Sequence, residues 1–325
     1  VDEERDGWTK WVVTIIARVS VERALGRVIE IVKEQGLELD YFRALSHVMP
    51  GGLIETPPEV GDYSCAEVWL YGFQLEEGRD REAAMREEYA ELADEAGVDI
   101  AFRREEEYER EWRLFCFDMD STLIQGETID ELAKMAGVGE DVAAVTAAAM
   151  RGEIEFQESF RRRVGLLKGL PEARVLEVVE RIPMMHGAER LFRTLKARGM
   201  KTAIFSGGFT FFAAVLKERL GVDYVFANQL DVRDGVVTGE VPGRIVDGAR
   251  KAELISEVSV LEGIPLEQVV AVGDGANDLP MLRLAGMGVA FHAKPVVRAE
   301  ARFSVTHAGL DGLLYLLGVP DEEWV

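Results

Sequence analysis

Cysteine, histidine and asparagine are all scarce in this 325-residue chain, and the first two shortages close off whole classes of chemistry. The two cysteines, Cys65 and Cys116, lie in apolar stretches that read as strands, so buried reduced thiols are expected rather than a disulfide framework. The four histidines, His47, His186, His292 and His307, are scattered without a His-x-x-x-His pair, which argues against a zinc site. Neither a Gly-x-x-x-x-Gly-Lys-Ser/Thr loop nor a Gly-x-Gly-x-x-Gly turn occurs, so those nucleotide-binding devices are set aside. No apolar run approaches the roughly 18 residues of a spanning helix, and the start, Val1 to Arg5, is acidic. Neither a signal peptide nor a membrane span is therefore expected, and a cytoplasmic location is. Basic residues are outnumbered, 37 against 59 acidic, for a net charge of -22. Nucleic acid and anionic membrane would be repelled overall, so an anionic ligand has to be gathered by a local site.

What is present is globular: 48% hydrophobic and 30% charged residues, over a length suited to two or three domains. The first hundred residues read strand, helix, strand, strand, helix, strand. The strands are expected at Trp11 to Val19, Leu37 to Val48, Ser64 to Leu75 and Val98 to Arg103, and the helices at Val21 to Gln35 and about Arg79 to Ala96. That order predicts a ferredoxin-like α+β domain over residues 1–108, with acidic Glu105 to Glu111 as a solvated connector.

From 109 to 325 strands and helices alternate, with strands near Leu114–Phe117, Lys201–Phe205, Tyr224–Ala227, Val269–Val272 and Gly288–Phe291. Alternation predicts an α/β domain, a Rossmann-like, doubly wound parallel sheet with helices on both faces. Asp234-Gly235 between β-branched residues marks a hairpin. About 126–183 is helical in pattern and too long for one crossover, so it reads as an inserted helical cap; Thr128 and Glu131 have capping-box spacing at its start.

Three polar motifs follow predicted strands. Asp118-Met-Asp120-Ser-Thr places two carboxylates two residues apart, a spacing that in a strand aims both one way and calls for a cation or a shared proton. Ser206-Gly207-Gly208 lets backbone amides approach an anion ahead of a helix N-terminus. Gly273-Asp274-Gly-Ala-Asn277-Asp278 offers the hard oxygen ligands that Mg²⁺ favours, whereas Leu279 and Ala285 exclude a calcium loop. Each alone also reads as an ordinary turn. Their common place at the carboxyl ends of strands, where open α/β sheets bind ligands, is what joins them. Lys251, at the expected start of a helical run to Leu261, opposes the helix dipole; it reads as a solvated surface lysine or as one retained for a phosphate. Asn277 has only one asparagine for company, Asn228.

In order, Asp118-Met-Asp120-Ser-Thr, Ser206-Gly-Gly, Lys251 and Gly273-Asp-Gly-Ala-Asn-Asp278 resemble the four motifs of the haloacid dehalogenase superfamily. Gly126-Glu-Thr-Ile-Asp-Glu131 and Phe156-Gln-Glu-Ser-Phe-Arg-Arg-Arg163 are similar to cap segments of the phosphoserine phosphatases within it. The resemblance implies that Asp118 is a nucleophile forming an aspartyl phosphate and that Asp120 is the general acid and base. It implies Mg²⁺ held by Asp118, Asp274 and the Asp120 carbonyl, with Asp278 in support and Asn277 orienting polar neighbours. Ser206, Gly207 and Lys251 would grip the phosphoryl oxygens. Glu127 would take the ammonium and Arg163 the carboxylate of phosphoserine, with Met150 and Phe156 as walls. The expected role is the last step of serine biosynthesis.

The first domain resembles an ACT-type amino-acid-sensing domain in element order, although the loop from Ala17 to Arg23 lacks such domains' glycine. Serine feedback and homodimerisation are both open uses. Two rivals remain: a superfamily enzyme with another substrate, either a related phosphomonoesterase or a phosphotransferase that passes the group to an alcohol, and an amino-acid-binding regulator with a vestigial catalytic half.

Overall fold

The computed structural model describes residues 8–18, 20–46, 63–72 and 78–325, with side chains 78–80 aside. His47, Val19 in the first loop, and the expected strand ends at 47–48 and 73–75 lie outside these. The chain forms two compact units, one drawing on Val1–Trp112, His186–Thr194 and Phe303–Val325, the other on Arg113–Met185 and Leu195–Arg302.

The first unit contains β1 (Thr9–Ala17), α1 (Glu22–Glu34), β2 (Glu38–Ala44), β3 (Ser64–Gly72), α2 (Gly78–Ala96) and β4 (Asp99–Arg104), in the sheet order β2-β3-β1-β4 with every neighbour antiparallel. That is the ferredoxin-like arrangement. Alternate residues of β1, Trp11, Val13 and Ile15, share a core with Val28, Ile31 and Val32 of α1 and Met85 and Tyr89 of α2. Glu105–Tyr108, expected as plain connector, winds into one turn (α3), its three glutamates at the favourable N-terminal end.

The intervening β1 residues, Val12, Thr14 and Ile16, are also buried, because the C-terminal segment of the same unit lies over them. The Asp99 carboxylate accepts from the amides of Thr306, His307 and Ala308, at 2.6, 3.1 and 2.8 Å. Arg103, fully buried, donates to the Leu316 carbonyl.

The second unit begins with β5 (Leu114–Phe117). Four cap helices follow, α4 (Thr128–Ala136), α5 (Gly139–Met150), α6 (Phe156–Leu166) and α7 (Glu172–Arg181); the next helix, α8 (Ala188–Ala197), belongs mostly to the first unit. Next come β6 (Lys201–Phe209), α9 (Thr210–Leu220), β7 (Tyr224–Asn228), the hairpin β8 (Val232–Arg233) and β9 (Val236–Val237), α10 (Gly248–Glu262), β10 (Val269–Gly273), α11 (Leu279–Leu284) and β11 (Met287–Phe291). Elements α12 (Pro295–Glu300), β12 (Phe303–Val305) and α13 (Gly312–Leu316) complete the chain. Within this unit five strands run parallel in the order β11-β10-β5-β6-β7.

The hairpin turns at Asp234-Gly235, both with positive φ (52° and 75°), as a two-residue primed turn requires. Helix α4 departs from expectation. Thr128 is its first helical residue rather than its cap, and Glu127 precedes it, so no Thr128–Glu131 capping box forms. The buried Thr128 amide at this helix start is instead met by the Asp120 carboxylate. Helix α10 also starts earlier than the pattern indicated: Gly248 opens it, and the Asp247 side chain caps it by accepting from the Arg250 amide at 2.9 Å. Lys251 thus sits one residue beyond the third helical position instead of at the helix start.

Candidate active site

Strands β10, β5 and β6 lie side by side, with Phe117 opposite both Val272 and Ile204. Their carboxyl ends therefore bring Asp118, Asp274 and Ser206 to one edge, with β5 in the middle. The chain runs from β5 outward to β7 and returns on the other side at β10, which creates a topological switch point there.

The turn after β5 is tight. Met119 accepts from the amides of Leu123 and Ile124 at 2.8 and 3.1 Å, and Ser121 takes a left-handed backbone (φ 57°). Asp118 and Asp120, expected to aim the same way, find separate partners because β5 ends at Phe117. The Asp118 carboxylate receives Lys251 Nζ at 2.6 Å, and that of Asp120 receives the Thr128 amide at 2.8 Å. The α4 N-terminus thereby favours an acid exactly where the sheet edge places one, without need of a side-chain cap.

Lys251 is fully buried between Asp118 and Asp278, 2.6 Å from each carboxylate. The surface-lysine reading is overturned, and the reason is tertiary: the first turn of α10 packs its inner face on the sheet edge. Burial disfavours the charged lysine, but Asp118 and Asp278 more than offset it and raise its pKa. Oxygens of Asp118, Asp274 and Asp278 lie within 4.8 Å of one another. Burial, with Asp278 next, pushes Asp118 well above the usual carboxylate range. Burial and then Asp278 push Asp274 up to about 7, and burial and then Glu127 do the same to Asp120.

Three carboxylates around one lysine leave surplus negative charge in a buried place, and all donors are hard oxygens. This set fits a divalent cation of the magnesium kind. Supporting bonds hold it: Thr122 Oγ1 donates to Asp274 at 3.2 Å, the Gly275 amide to Asp278 at 3.0 Å, and Asn277 Nδ2 to Asp278 at 3.4 Å. Asn277 thus touches the acidic cluster. Gly273 is required here, since a Cβ would stand 2.5 Å from the Asp278 carboxyl carbon.

Strand β6 continues through Ser206-Gly-Gly to Phe209 instead of ending before it, but its ladder with β7 breaks between Phe205 and Phe209. Residues 206–208 are thereby released toward the site. Ser206 Oγ accepts from the Gly208 amide at 2.8 Å. Gly208 has no room for a side chain, which would strike the Asp120 carboxylate and come within 2.7 Å of Met119 Cε.

The cap supplies two groups of opposite charge. Glu127 is open to solvent but crowded by protein; that partial burial, with Asp130 beside it, holds its carboxyl above the usual range, and Ser121 Oγ donates to it at 3.3 Å. Of Arg161, Arg162 and Arg163, the first two are exposed, and Arg162 pairs with Glu158 at 2.7 Å. Arg163 alone turns inward. Burial lowers its pKa against the fields of Glu127, Asp130 and Asp120, and its Nε is buried with no hydrogen-bond acceptor. Phe156 stacks on Phe160 at 6.3 Å and lies beside Gly207.

Met150 is the exception: it is 70% exposed at the C-terminal end of α5 and walls nothing. That helix buries only Val142 among its alanines, so no packing force draws its last residue inward. Sequence reasoning missed Asn228, whose buried amide bonds both the Gly207 carbonyl and the Val246 amide; its rarity was the only available signal.

Residues 115–283 match the haloacid dehalogenase-like hydrolase family. The chain belongs to that family. It is 46% identical over 250 residues to a phosphoserine phosphatase of Archaeoglobus fulgidus, covering 77% of this chain and 73% of that one. With a phosphoserine phosphatase of Streptomyces coelicolor it shares 50% identity over 235 residues, 71% of this chain but only 57% of the other. The structure of a haloacid dehalogenase family hydrolase from Salmonella enterica serovar Typhi superposes with a TM-score of 0.79 at 31% identity, over 94% of this chain and 98% of that one. Among the described residues no helix is long and apolar enough to cross a membrane.

Proposed function

We propose that this haloacid dehalogenase-like hydrolase removes phosphate from phosphoserine through an aspartyl phosphate on Asp118. The observation that carries the substrate is Arg163, a half-buried cation without an ion-pair partner among the described residues, in the field of Glu127. Phosphoserine bears a carboxylate and an ammonium beside its phosphate. Arg163 can fork onto the first and Glu127 can pair with the second. The relatives from Archaeoglobus and Streptomyces named for this activity support the same reading.

In the first step a carboxylate oxygen of Asp118 attacks phosphorus while the bond to the seryl oxygen breaks. Asp120 gives its proton to that oxygen. A carboxyl raised to about 7 holds a proton in a useful fraction of molecules at neutral pH. In the second step Asp120 takes a proton from water, whose oxygen attacks phosphorus and releases the Asp118 carboxylate. Lys251, Ser206 and the Gly207 amide hold the phosphoryl oxygens as their charge redistributes. Asp118, Asp274 and the Asp120 carbonyl would hold Mg²⁺, with Asp278 in support and Asn277 orienting it. When bound, the ion offsets the repulsion between nucleophile and substrate and polarises a phosphoryl oxygen.

The test is Mg²⁺-dependent phosphate release across a panel of phosphomonoesters. Arg163→Ala is expected to lose roughly 10- to 100-fold in kcat/KM on phosphoserine and little on esters without a carboxylate. Equal loss on all esters would remove the assigned role.

Metal withdrawal gives a second test. With chelator, turnover is expected to stop and the melting temperature to fall; added Mg²⁺ should reverse both. Asp274 has a folded pKa of about 7, above the unfolded value of about 4, so the native state binds the extra proton between them. Stability without metal should therefore decline as pH rises from about 4 to 7, and the Mg²⁺-induced shift should grow over the same window. A melting temperature indifferent to Mg²⁺ at pH 8 would count against the site.

Our reading also keeps residues 109–325 as the catalytic domain, with 126–183 as the cap that closes over substrate. Residues 1–108 would be an ACT-like domain for homodimerisation or amino-acid sensing, in a cytoplasmic protein. Sedimentation with and without L-serine tests the last pair of roles.

A further inference from the structure

We propose that Asn228 is a positioning residue that fixes the Ser206 hydroxyl as a hydrogen-bond donor to the phosphoryl group. The inference rests on the phosphoryl site described above and deepens it. Strand β6 leaves its ladder with β7 after Phe205, opposite Phe226, and rejoins it at Phe209, opposite Asn228. Residues 206–208 between those points have no strand partner on β7 to hold their peptides in place. A backbone released in this way needs another source of rigidity if it is to present donors at fixed positions.

Asn228 supplies it. Its side chain is 2% exposed, and its Nδ2 donates to the Gly207 carbonyl at 2.8 Å. That carbonyl and the Gly208 N–H belong to one planar trans peptide, so fixing the oxygen at one end fixes the hydrogen at the other. The Gly208 N–H donates to Ser206 Oγ at 2.8 Å. A serine hydroxyl has one proton and two lone pairs. With a lone pair engaged by Gly208, the oxygen is held in place, and its own proton remains to be given to an acceptor in the site.

The Val246 amide donates to Asn228 Oδ1 at 2.8 Å. This bond decides which way the amide faces, because an N–H must meet the oxygen, which leaves the nitrogen toward Gly207. Asparagine is suited to the post because it offers an acceptor and a donor at once. Aspartate keeps the bond to Val246 but presents an oxygen to the Gly207 carbonyl, and alanine gives up both bonds.

The test measures the affinity for inorganic phosphate by calorimetry in the presence of Mg²⁺. Alongside it, turnover of phosphoserine and of a simple aryl phosphate is followed in the full chain. Asn228→Ala and Asn228→Asp are expected to weaken phosphate binding about 10- to 100-fold, the scale of groups that orient a directly contacting side chain. They should lower kcat/KM for both esters alike. In a Ser206→Ala background the Asn228→Ala effect should shrink to about twofold, because the hydroxyl it positions is gone.

Three results would overturn the proposal. One is an Asn228→Ala protein that binds phosphate within twofold of wild type. Another is an equal loss with and without Ser206, which marks a general scaffold role. The third is recovery of phosphate binding in Asn228→Asp. If the alanine variant does not fold, the aspartate variant, alone and combined with Ser206→Ala, carries the same comparison. Phosphate binding does not depend on the seryl group, so a wild type that ignores phosphoserine would remove the substrate reading and leave this test standing.

Discussion

Asp118→Asn is expected to abolish phosphate release, by about 10⁴-fold or more, because the amide cannot form the covalent intermediate and no neighbouring group replaces it. Phosphate release under saturating substrate and Mg²⁺ measures this directly. The same substitution should not unfold the protein. Burial, and then repulsion from Asp278, push the Asp118 pKa well above the ordinary value, so its negative charge works against folding when metal is absent. An uncharged, equally sized side chain relieves that repulsion. The melting temperature of Asp118→Asn in chelator at pH 8 is therefore expected to equal or exceed that of wild type, a trade of stability for function common at active sites. Residual activity within tenfold of wild type would place the nucleophile elsewhere.

Lys251→Met is the second large effect, and it reverses the sign on stability. The lysine is the only cation bonded to the Asp118 and Asp278 carboxylates among the described residues, at 2.6 Å from each. Removing one member of a buried ionic set leaves the others uncompensated, at a cost of about 3–5 kcal/mol. Without the lysine, which lowers its pKa, the folded Asp118 carboxyl holds its proton to still higher pH. The native state then binds more protons than the unfolded state, and stability falls as pH rises. The loss against wild type should thus be greatest above neutral pH, shrink toward pH 5, and be partly recovered by Mg²⁺. Urea denaturation at several pH values, with chelator and with metal, checks all three trends. Activity should fall about 10²- to 10³-fold, the scale of losing one charged contact to the transferring group. An unchanged denaturation midpoint at pH 8 in chelator would show that Lys251 is not the counter-charge of this cluster.

The fold was legible wherever it depended on local pattern. Runs such as Val269-Val-Ala-Val and Leu114-Phe-Cys-Phe, short, apolar and bounded by polar turns, read as strands buried on both faces, and strand ends carry the polar motifs. The site was legible in its carboxylates for the same reason. Lys251 was legible only through the family resemblance, because a lysine in a helical run looks the same in sequence whether it faces water or a sheet edge. Glu131 was misread as a capping partner because the spacing rule cannot know that Asp120, eight residues before Thr128, already occupies the helix end. Met150 and Asn228 failed in opposite directions. The first looked like a wall on the strength of its cap segment and is exposed; the second was a lone amide in a strand whose role depends on a break in a neighbouring ladder. Likewise, nothing local shows that residues 303–325 join the first unit, since their bonds to Asp99 and Arg103 span some two hundred positions.

The central claim, a phosphoryl group carried by Asp118, is tested most directly by trapping it. The protein is mixed with radiolabelled phosphoserine and Mg²⁺, quenched in acid within one turnover, and digested. The label is expected on the peptide containing Leu114 to Leu123, to be released by hydroxylamine as an acyl phosphate is, and to be absent from Asp118→Asn. Turnover without any labelled protein, or a label on another peptide, would contradict the account.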